Sequence, residues 1–149
     1  MNIRFARQKD MPALAEVHAS AFDAPWSAGE IGRFAEDRGG IAILAEGEDG
    51  EVAGFILCRA IAGEAEVLTL AVRPERRRRG VAFALLEAAV AAASAHADAM
   101  LLEVATDNEA AIRLYERAGF IGVGRRAGYY GRPGGRAMDA MVMRRTLNS

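Results

Sequence analysis

Four consecutive arginines followed by a glycine, residues 76–80, form the group most clearly suited to chemistry in this sequence. The group lies between an apolar run, residues 67–72, and an alanine-rich pattern of helical period, residues 81–95,. This order predicts a strand, a turn and the start of a helix. A helix start attracts anions, because its first N–H groups lack intrahelical partners and it carries the positive end of the helix dipole. Since Gly80 allows close approach to the backbone, we expect the turn to bind a phosphorylated ligand.

A carboxylate within an apolar segment is a second candidate. Glu103 lies inside residues 100–104, a stretch that is otherwise apolar and predicts a strand,. A charged side chain is costly to bury without a partner or a purpose. Two interpretations are open at this point: an outward-facing glutamate on a half-exposed strand, or a general base that receives a proton through water.

A third group shares one face of a predicted helix: Asn108, Ala111, Ile112 and Tyr115,. Asn108 could cap the helix or form a hydrogen bond with a ligand, and both roles can hold at once. Tyr115 is either a core aromatic residue whose hydroxyl finds a local partner or an acid that protonates a leaving group.

The spacing of apolar and turn residues predicts the elements that position these side chains. The predicted strands are residues 2–7, 41–45, 52–59, 64–72, 99–105, 120–126 and 138–144. The predicted helices run from Asp10 to about residue 22, from a capping box at Ser27 to about residue 37, over residues 81–95, and from Asp107 or Asn108 to residue 118,. A glycine-rich loop, residues 129–136, precedes the last strand. The order indicates one α/β domain, residues 1–149, with a mixed sheet flanked by helices.

Composition excludes several classes of protein. The 149 residues are 52% hydrophobic and 26% charged, which is ordinary for a folded soluble protein,. The single cysteine, Cys58, excludes an internal disulfide and fits a reducing compartment, so we expect a cytoplasmic protein,. The two histidines, His18 and His96, do not make a usual zinc site with one distant cysteine, and no apolar run approaches the ~20 residues of a membrane span,.

Charge is distributed unevenly along the chain. Residues 1–72 hold 6 basic and 12 acidic side chains, a net charge of −6, and residues 73–149 hold 13 and 8, a net charge of +5. This is either chance surface variation or a sign that the second half faces an anionic cofactor and the first half a cationic partner. The overall net charge of −1 argues against broad nucleic-acid binding,.

Two segments resemble signatures of the GCN5-related N-acetyltransferase (GNAT) superfamily. Residues 77–82 match its phosphate-loop pattern, Gln/Arg-x-x-Gly-x-Gly/Ala, and follow a phrase of that family, residues 72–75. Residues 108–120 match its second signature. The two occur in the expected order and at the expected separation, which makes the pair specific. The resemblance covers most of the chain and implies a central, mostly antiparallel sheet with a splayed parallel pair, flanked by about four helices.

The resemblance also implies acetyl-CoA as a cosubstrate, with no metal, and a set of roles. The phosphate loop would bind the CoA pyrophosphate through Arg77, Arg78, Arg79, Gly80, Val81 and Ala82. The strand residues Leu70, Ala71 and Val72 would pair with the pantetheine arm, to which Asn108 would also form a hydrogen bond. Glu103 would act as the general base, and Tyr115 would protonate the departing thiolate.

Shorter phrases resemble the ribosomal-protein-alanine N-acetyltransferase (RimI-type) branch: residues 25–27, 102–104, 129–130 and 139–143. This likeness implies transfer to a protein N-terminal α-amine, with ribosomal N-terminal alanine as the implied target. Trp26 and Tyr130, both in predicted loops, would contact the acceptor, although they could equally cover the core. The alternatives are the same fold acetylating a small-molecule amine or a lysine, a non-catalytic CoA-binding module and, most remotely, a basic nucleic-acid-binding domain. We expect neither a nucleic-acid nor a membrane partner.

Overall fold

The computed structural model describes residues 1–130 and 138–148, except for the side chains of Tyr129, Tyr130 and Met138. The strands are β1 (Asn2–Phe5), β2 (Gly40–Glu46), β3 (Val52–Ile61), β4 (Gly63–Val72), β5 (Ala97–Ala105), β6 (Ile121–Tyr130) and β7 (Met138–Thr146). The helices are α1 (Met11–Ala21), α2 (Ala28–Glu36), α3 (Val81–Ala93) and α4 (Glu109–Arg117). Short 3-10 turns occupy Gln8–Asp10 and Pro74–Arg76.

The seven strands form one sheet in the order β1-β2-β3-β4-β5-β7-β6. Neighbouring strands are antiparallel except for β4 and β5, which are parallel and are connected through α3. A parallel pair needs such a crossover, because a short turn can join only antiparallel strands. The mixed sheet predicted from the order of elements is therefore confirmed, as is the mostly antiparallel pairing that the resemblance implies.

Helices cover the two faces of the sheet and create two apolar cores. On one face, α3 packs against inward-facing residues of β2, β3 and β4, and α4 adds Ala111, Ile112 and Tyr115 to the rim of the same cluster. On the other face, α1 and α2 pack over Leu44, Phe55 and neighbouring residues. Among the side chains that the structure describes, the cluster on the second face includes none from β5, β6 or β7. These strands border an open groove on that face of the sheet.

Local signals in the sequence account for most helix ends. Ser27 begins α2 with the predicted capping box, in which its hydroxyl accepts from the Glu30 N–H at 3.1 Å and its own N–H donates to the Glu30 carboxylate at 3.0 Å,. Gly119 ends α4 in the left-handed region, with φ of 91°,. One prediction was wrong: Tyr130 belongs to β6 and pairs with Met138, so the predicted loop begins later than expected. The rest of that loop, residues 131–137, lies outside the described residues.

Candidate active site

The parallel strands β4 and β5 separate part of the way along their length. The structure describes both strands completely. Their pairing begins at Gly63 opposite Ala97 and ends at Glu66 opposite Leu101. Beyond that point β4 continues to Val72 on its other partner, β3, and β5 continues to Ala105 on β7. The edge of β4 from Val67 to Val72 therefore has backbone groups directed into a gap. We call this gap the fork, and the predicted pantetheine residues Leu70, Ala71 and Val72 line it.

The turn after β4 presents backbone N–H groups. Intrahelical hydrogen bonding in α3 begins with the Ala84 N–H, which donates to the Gly80 carbonyl at 3.0 Å. The N–H groups of Val81, Ala82 and Phe83 consequently have no intrahelical acceptor. Gly80 has φ of 80°, and a Cβ added there would meet no heavy atom within 4 Å. Glycine is thus required by the backbone conformation, while the space above it is open to a ligand.

The arginines of this turn have different partners. Arg76 forms ion pairs with Asp49 at 2.6 Å and Glu51 at 3.9 Å. The Arg77 Nε donates to the Val72 carbonyl at 3.2 Å, which fixes the turn to the end of β4. Arg78 and Arg79 are exposed. Arg78 also adopts a positive φ of 63°, an uncommon conformation for a residue with a side chain,. Such strain is concentrated at ligand-binding sites, and it turns successive N–H groups towards a common point.

Glu103 lies on the face of the sheet that faces away from α3 and α4. Its neighbours in β5, Leu102 and Val104, are buried in the core beneath those helices, so the alternation of the strand directs Glu103 to the other face,. Its side chain is 24% exposed and forms an ion pair with Arg126 of β6 at 3.0 Å. This pairing partner was missed in the sequence, because β6 reaches β5 only across β7 and no local pattern reveals that arrangement.

A groove of about 510 Å³ surrounds this ion pair. It is lined by side chains of β3, β4, β5, β6 and β7, including Arg59, Glu64, Glu66, Leu101 and Val142. Several of these side chains are exposed, and Ile61 at one end is 51% accessible. The groove is therefore an open channel over the closed end of the fork, and Glu103 lies within its wall.

The second signature places Asn108 and Tyr115 on the opposite side of the sheet. The Asn108 Oδ1 accepts from the Ala111 N–H at 3.2 Å, so the predicted helix cap is confirmed,. The Tyr115 ring is half-buried and packs edge-to-face against Phe120, with ring centroids 6.1 Å apart. Both interpretations of Tyr115 therefore remain compatible with its position, since a core ring can still direct its hydroxyl towards a ligand.

The fork is a gap through the sheet, so it is open to both faces between the separated ends of β4 and β5. Glu103 belongs to the groove face and Tyr115 to the helix face, and an intact sheet would separate them. A ligand seated in the gap between β4 and β5 can be approached from both faces. The geometry consequently suits a reaction in which one group receives a proton on one side and another group donates a proton on the other.

Trp26 lies in the segment that joins α1 to α2, as predicted. Its ring stacks on His18 and on Phe34, with centroid distances of 5.1 and 5.3 Å. The side chain of Tyr130 lies outside the description, so its predicted contact with an acceptor stays a prediction. No local pattern singles out His18, because its contacts to Trp26 depend on how the chain turns between the two helices.

The described part of the chain has neither a cluster of metal ligands nor a membrane-spanning helix. Residues 1–130 and 138–148 contain no group of three or more His, Cys, Asp or Glu side chains placed to hold a metal ion. Among the same residues, none of the helices has the length and apolar character needed to cross a bilayer. Cys58 is buried, and burial raises the pKa of its thiol to about 12, which keeps it protonated and unreactive,.

Comparison with known proteins identifies the class that this fold and fork define. Residues 11–120 match the model of the acetyltransferase (GNAT) family. The chain is 34% identical over 136 residues to the [ribosomal protein bS18]-alanine N-acetyltransferase of Escherichia coli K12, covering 90% of this chain and 89% of that one. The chain belongs to the GNAT family and is an acetyl-CoA-dependent N-acetyltransferase.

Solved structures give the same result for the fold. The crystal structure of the ribosomal-protein-S18-alanine N-acetyltransferase from Escherichia coli superposes with a TM-score of 0.90 at 28% identity, covering 99% of this chain and 94% of that chain. Naa20 of Chaetomium thermophilum, solved with a bisubstrate analogue, superposes with a TM-score of 0.84 at 25% identity, covering 99% and 87%. The predicted splayed parallel pair and the four flanking helices are confirmed.

Proposed function

We propose that this enzyme transfers the acetyl group of acetyl-CoA to the α-amino group of a protein N-terminus, with the N-terminal alanine of a ribosomal protein as the target. The observation that carries the proposal is the open groove in which Glu103 reaches the fork. Two similar proteins support it. The Escherichia coli relative is named a [ribosomal protein bS18]-alanine N-acetyltransferase, and the Naa20 structure was solved with a bisubstrate analogue.

The donor is held by the backbone on the helix side. The N–H groups at the start of α3 and the exposed side chains of Arg78 and Arg79 face the pyrophosphate, where charge-assisted hydrogen bonds are strong,. The open edge of β4 at Leu70–Val72 pairs with the amides of the pantetheine arm, as an added strand would,. This seating brings the thioester into the fork, and Asn108 lies at the start of α4 beside the same arm.

The acceptor reacts from the groove side by direct attack. Glu103, directly or through one water, takes a proton from the α-ammonium group, and the freed nitrogen lone pair forms a bond to the thioester carbon. The C–S bond then breaks, and the sulfur receives the hydroxyl proton of Tyr115. The nitrogen, now bonded to the acetyl carbon, loses its second proton to water. The products are an N-acetylated peptide and CoA; the proton held by Glu103 returns to solvent and Tyr115 takes one back from solvent, so that each turnover releases one proton.

The chemistry of the base favours an N-terminus over a lysine. An α-amino group has a pKa near 8 and a lysine side chain a pKa near 10.4, so at pH 7 about a tenth of the former is neutral and well under a hundredth of the latter. One weak carboxylate base is therefore better matched to an α-amine. The exposed side chains along the groove also suit an extended peptide, whereas a small amine would be better held in a closed pocket,.

The proposal is tested by the rate of CoA release with a panel of acceptors. We expect an alanine-starting peptide to be acetylated, the same peptide with a blocked α-amine to be inert, and replacement of every internal Lys by Arg to leave the rate nearly unchanged. A polyamine and a peptide with lysine as its only free amine serve as the competing classes. Equal rates with blocked and unblocked peptides would show that the acceptor is not the N-terminus.

A further inference from the structure

A buried histidine connects α1 to the segment that carries Trp26. His18 is 3% exposed, and its Nδ1 accepts the Trp26 backbone N–H at 3.0 Å. The imidazole also stacks between two aromatic rings, Phe22 at 4.4 Å and Trp26 at 5.1 Å between centroids. One side chain thus holds both ends of the connecting segment, residues 22–27. No other described side chain forms a hydrogen bond to the backbone of that segment apart from the Glu30 carboxylate, which caps Ser27.

The hydrogen bond requires a neutral imidazole. Because Nδ1 is the acceptor, the ring proton must lie on Nε2, and protonation of Nδ1 would replace an attraction by a clash between two donors. Burial lowers the pKa of His18 below its ordinary value of 6.5, while the charge of Glu30 on α2 acts in the opposite direction. The packing neighbour from β3 is Phe55, which is uncharged, and the acid of the connecting segment itself, Asp23, is exposed.

Trp26 couples His18 to the face of the sheet that bears the groove. The ring of Trp26 is sandwiched between His18 and Phe34, so its position depends on the segment that His18 holds. Phe22, at the other end of the segment, is 42% exposed and offers an apolar surface beside the stack. A change at His18 would therefore move an aromatic surface on the groove face of the sheet without touching the start of α3.

We propose that His18 is a positioning residue for the acceptor: its neutral imidazole holds residues 22–27 and Trp26 in the shape that binds the incoming chain, and its protonation releases them. This inference rests on the proposed function, since it assumes that Trp26 contacts the acceptor. It makes the affinity for the acceptor, and not that for acetyl-CoA, fall at mildly acidic pH. The linkage has a definite sign, because the folded protein disfavours the protonated form and the unfolded chain accepts it below about pH 6.5.

The chain offers a direct optical probe and matched variants. Trp26 is the only tryptophan, so fluorescence reports on this stack alone, and a protonated imidazole quenches an adjacent indole. His18→Asn keeps an oxygen acceptor near the Nδ1 position but does not titrate, whereas His18→Phe keeps the stacked ring and removes the acceptor. His96→Asn removes the other histidine, which is exposed and lies beyond the end of α3.

The experiment follows Trp26 fluorescence and acceptor KM from pH 8 to pH 5.5. We expect a fluorescence transition with a midpoint below 6.5 in the wild-type protein and in His96→Asn, and none in His18→Asn. At pH 8 His18→Phe should raise the acceptor KM about fivefold over the wild type, the factor expected for one lost hydrogen bond, with little change in kcat or in acetyl-CoA KM. The difference should shrink towards pH 5.5, where the wild-type imidazole is protonated and has lost the same bond. Relative to its own value at pH 8, the KM of His18→Asn should rise less steeply with acid than that of the wild type.

Two results would overturn the inference: a fluorescence transition that persists in His18→Asn, or wild-type and His18→Phe proteins with the same acceptor KM at pH 8. Both differ from a failure of the proposed function, in which the wild-type enzyme would acetylate no free-α-amine peptide even at pH 8. Amine protonation affects every variant equally, so comparison between variants at each pH removes its contribution from the KM profile.

Discussion

Glu103 is held by a partner within the groove, and this decides how its role can be tested. The ion pair with Arg126 at 3.0 Å keeps the carboxylate in one place. Because the Arg126 side chain is 55% exposed, its guanidinium group keeps much of its hydration and the pair carries only a small desolvation penalty,. An arriving α-ammonium group presents the same sign of charge and can replace the guanidinium at the carboxylate. This arrangement supports the proposal that Glu103 accepts a proton from a cationic acceptor.

Replacing Glu103 by Gln should depress the acetylation rate most near neutral pH. There the acceptor is mainly protonated and needs a base, whereas at pH 9 to 10 the free amine is abundant and the defect should shrink. We expect a loss of about a hundredfold near pH 7, in line with general-base catalysis. The measurement is kcat/KM for an alanine-starting peptide as a function of pH. Glu66→Gln is the matched control, because it removes the same charge from the same groove. A Glu103→Gln defect that is constant across pH would point to positioning only.

Replacing Tyr115 by Phe should lower turnover more than donor affinity. The ring packs edge-to-face on Phe120, and a phenylalanine can keep that contact while the hydroxyl proton is lost,. We expect kcat to fall by about tenfold or more, with the dissociation constant of acetyl-CoA changing less than threefold. Steady-state rates and calorimetric binding separate the two. An unchanged kcat, under conditions where chemistry limits the rate, would contradict the acid role.

The sequence could name these residues but not their contacts. Glu103 and Tyr115 were singled out through motifs, and their neighbours in the chain fixed the faces on which they lie. The partner of Glu103 comes from β6, a later strand that is two positions away in the sheet, and the partner of His18 comes from the return of the chain after a helix. Such contacts depend on tertiary packing, which local patterns do not encode.

At the scale of elements, the start of α3 and the adjoining fork form the proposed donor site. Gly80 at φ of 80° and Arg78 at φ of 63° bend the turn so that the first N–H groups of the helix face outward. The turn is fixed at its base, because Arg77 bonds to the end of β4 and Arg76 to the β2–β3 hairpin. A ligand that binds here meets a preformed backbone and pays little for ordering it.

Gly80→Glu should weaken acetyl-CoA binding far more than Gly80→Ala. Both variants place a side chain at a left-handed φ, which costs about 1 kcal/mol, but only glutamate adds bulk and like charge where phosphates approach,. Gly50→Glu is the control, since Gly50 has φ of 83° and equally open surroundings in the β2–β3 hairpin. Calorimetry should show a loss of at least tenfold for Gly80→Glu alone and a weakening of wild-type binding with added salt. Unchanged binding in Gly80→Glu would mean that the site is misplaced.

Local signals predict the positions of the elements, whereas the point at which paired strands separate has no such signal. The capping box at Ser27 and the glycine at the end of α4 are short-range devices that can be read from adjacent residues. The fork is different, because the point at which β4 and β5 separate is not marked by any residue type in either strand. It was expected only through resemblance to a family, and the structure supplies its location after Glu66 and Leu101.

At the scale of the whole molecule, an ion-pair network joins the first strand to the rest of the fold. Arg4 of β1 forms two hydrogen bonds of 2.9 Å to the Asp10 carboxylate and a further one to Glu46 of β2. Asp10 also accepts the Arg7 N–H at 2.7 Å. The Arg4 guanidinium lowers the pKa of Asp10 from its ordinary 3.8 to about 2. Such a network links β1, α1 and β2 where the edge of the sheet would otherwise be weakly held.

Replacing Asp10 by Asn should destabilise the protein by about 1–2 kcal/mol at pH 7. The folded-state pKa of Asp10 is depressed, so its contribution is present above about pH 4 and is lost as the pH falls towards 2,. Urea unfolding of both proteins between pH 7 and pH 2.5 measures the difference. The two stabilities should converge at low pH, and a difference that stays constant down to pH 2.5 would assign the effect to packing instead of charge.

The uneven charge of the sequence does not divide the folded molecule into two surfaces. The groove takes Arg59, Glu64 and Glu66 from the acidic first half of the chain and Glu103 and Arg126 from the basic second half. The two halves of the chain meet in the middle of the sheet, where β4 of the first half pairs with β5 of the second half. Approach of the acceptor from an acidic side therefore stays a prediction, while the fold class and the family were predictable because their signatures are local and ordered.

The central claim is tested most directly by locating the acetyl group on one peptide that offers both kinds of amine. The peptide begins with alanine, has a free α-amine and contains an internal lysine. It is treated with acetyl-CoA at about pH 7, where the neutral fraction of the α-amine exceeds that of the lysine by on the order of a hundredfold. Fragmentation by tandem mass spectrometry then assigns the acetyl group to one of the two amines. The account predicts acetylation at the N-terminal alanine in wild-type protein and loss of that product in Glu103→Gln. Acetyl groups found mainly on the lysine would contradict it.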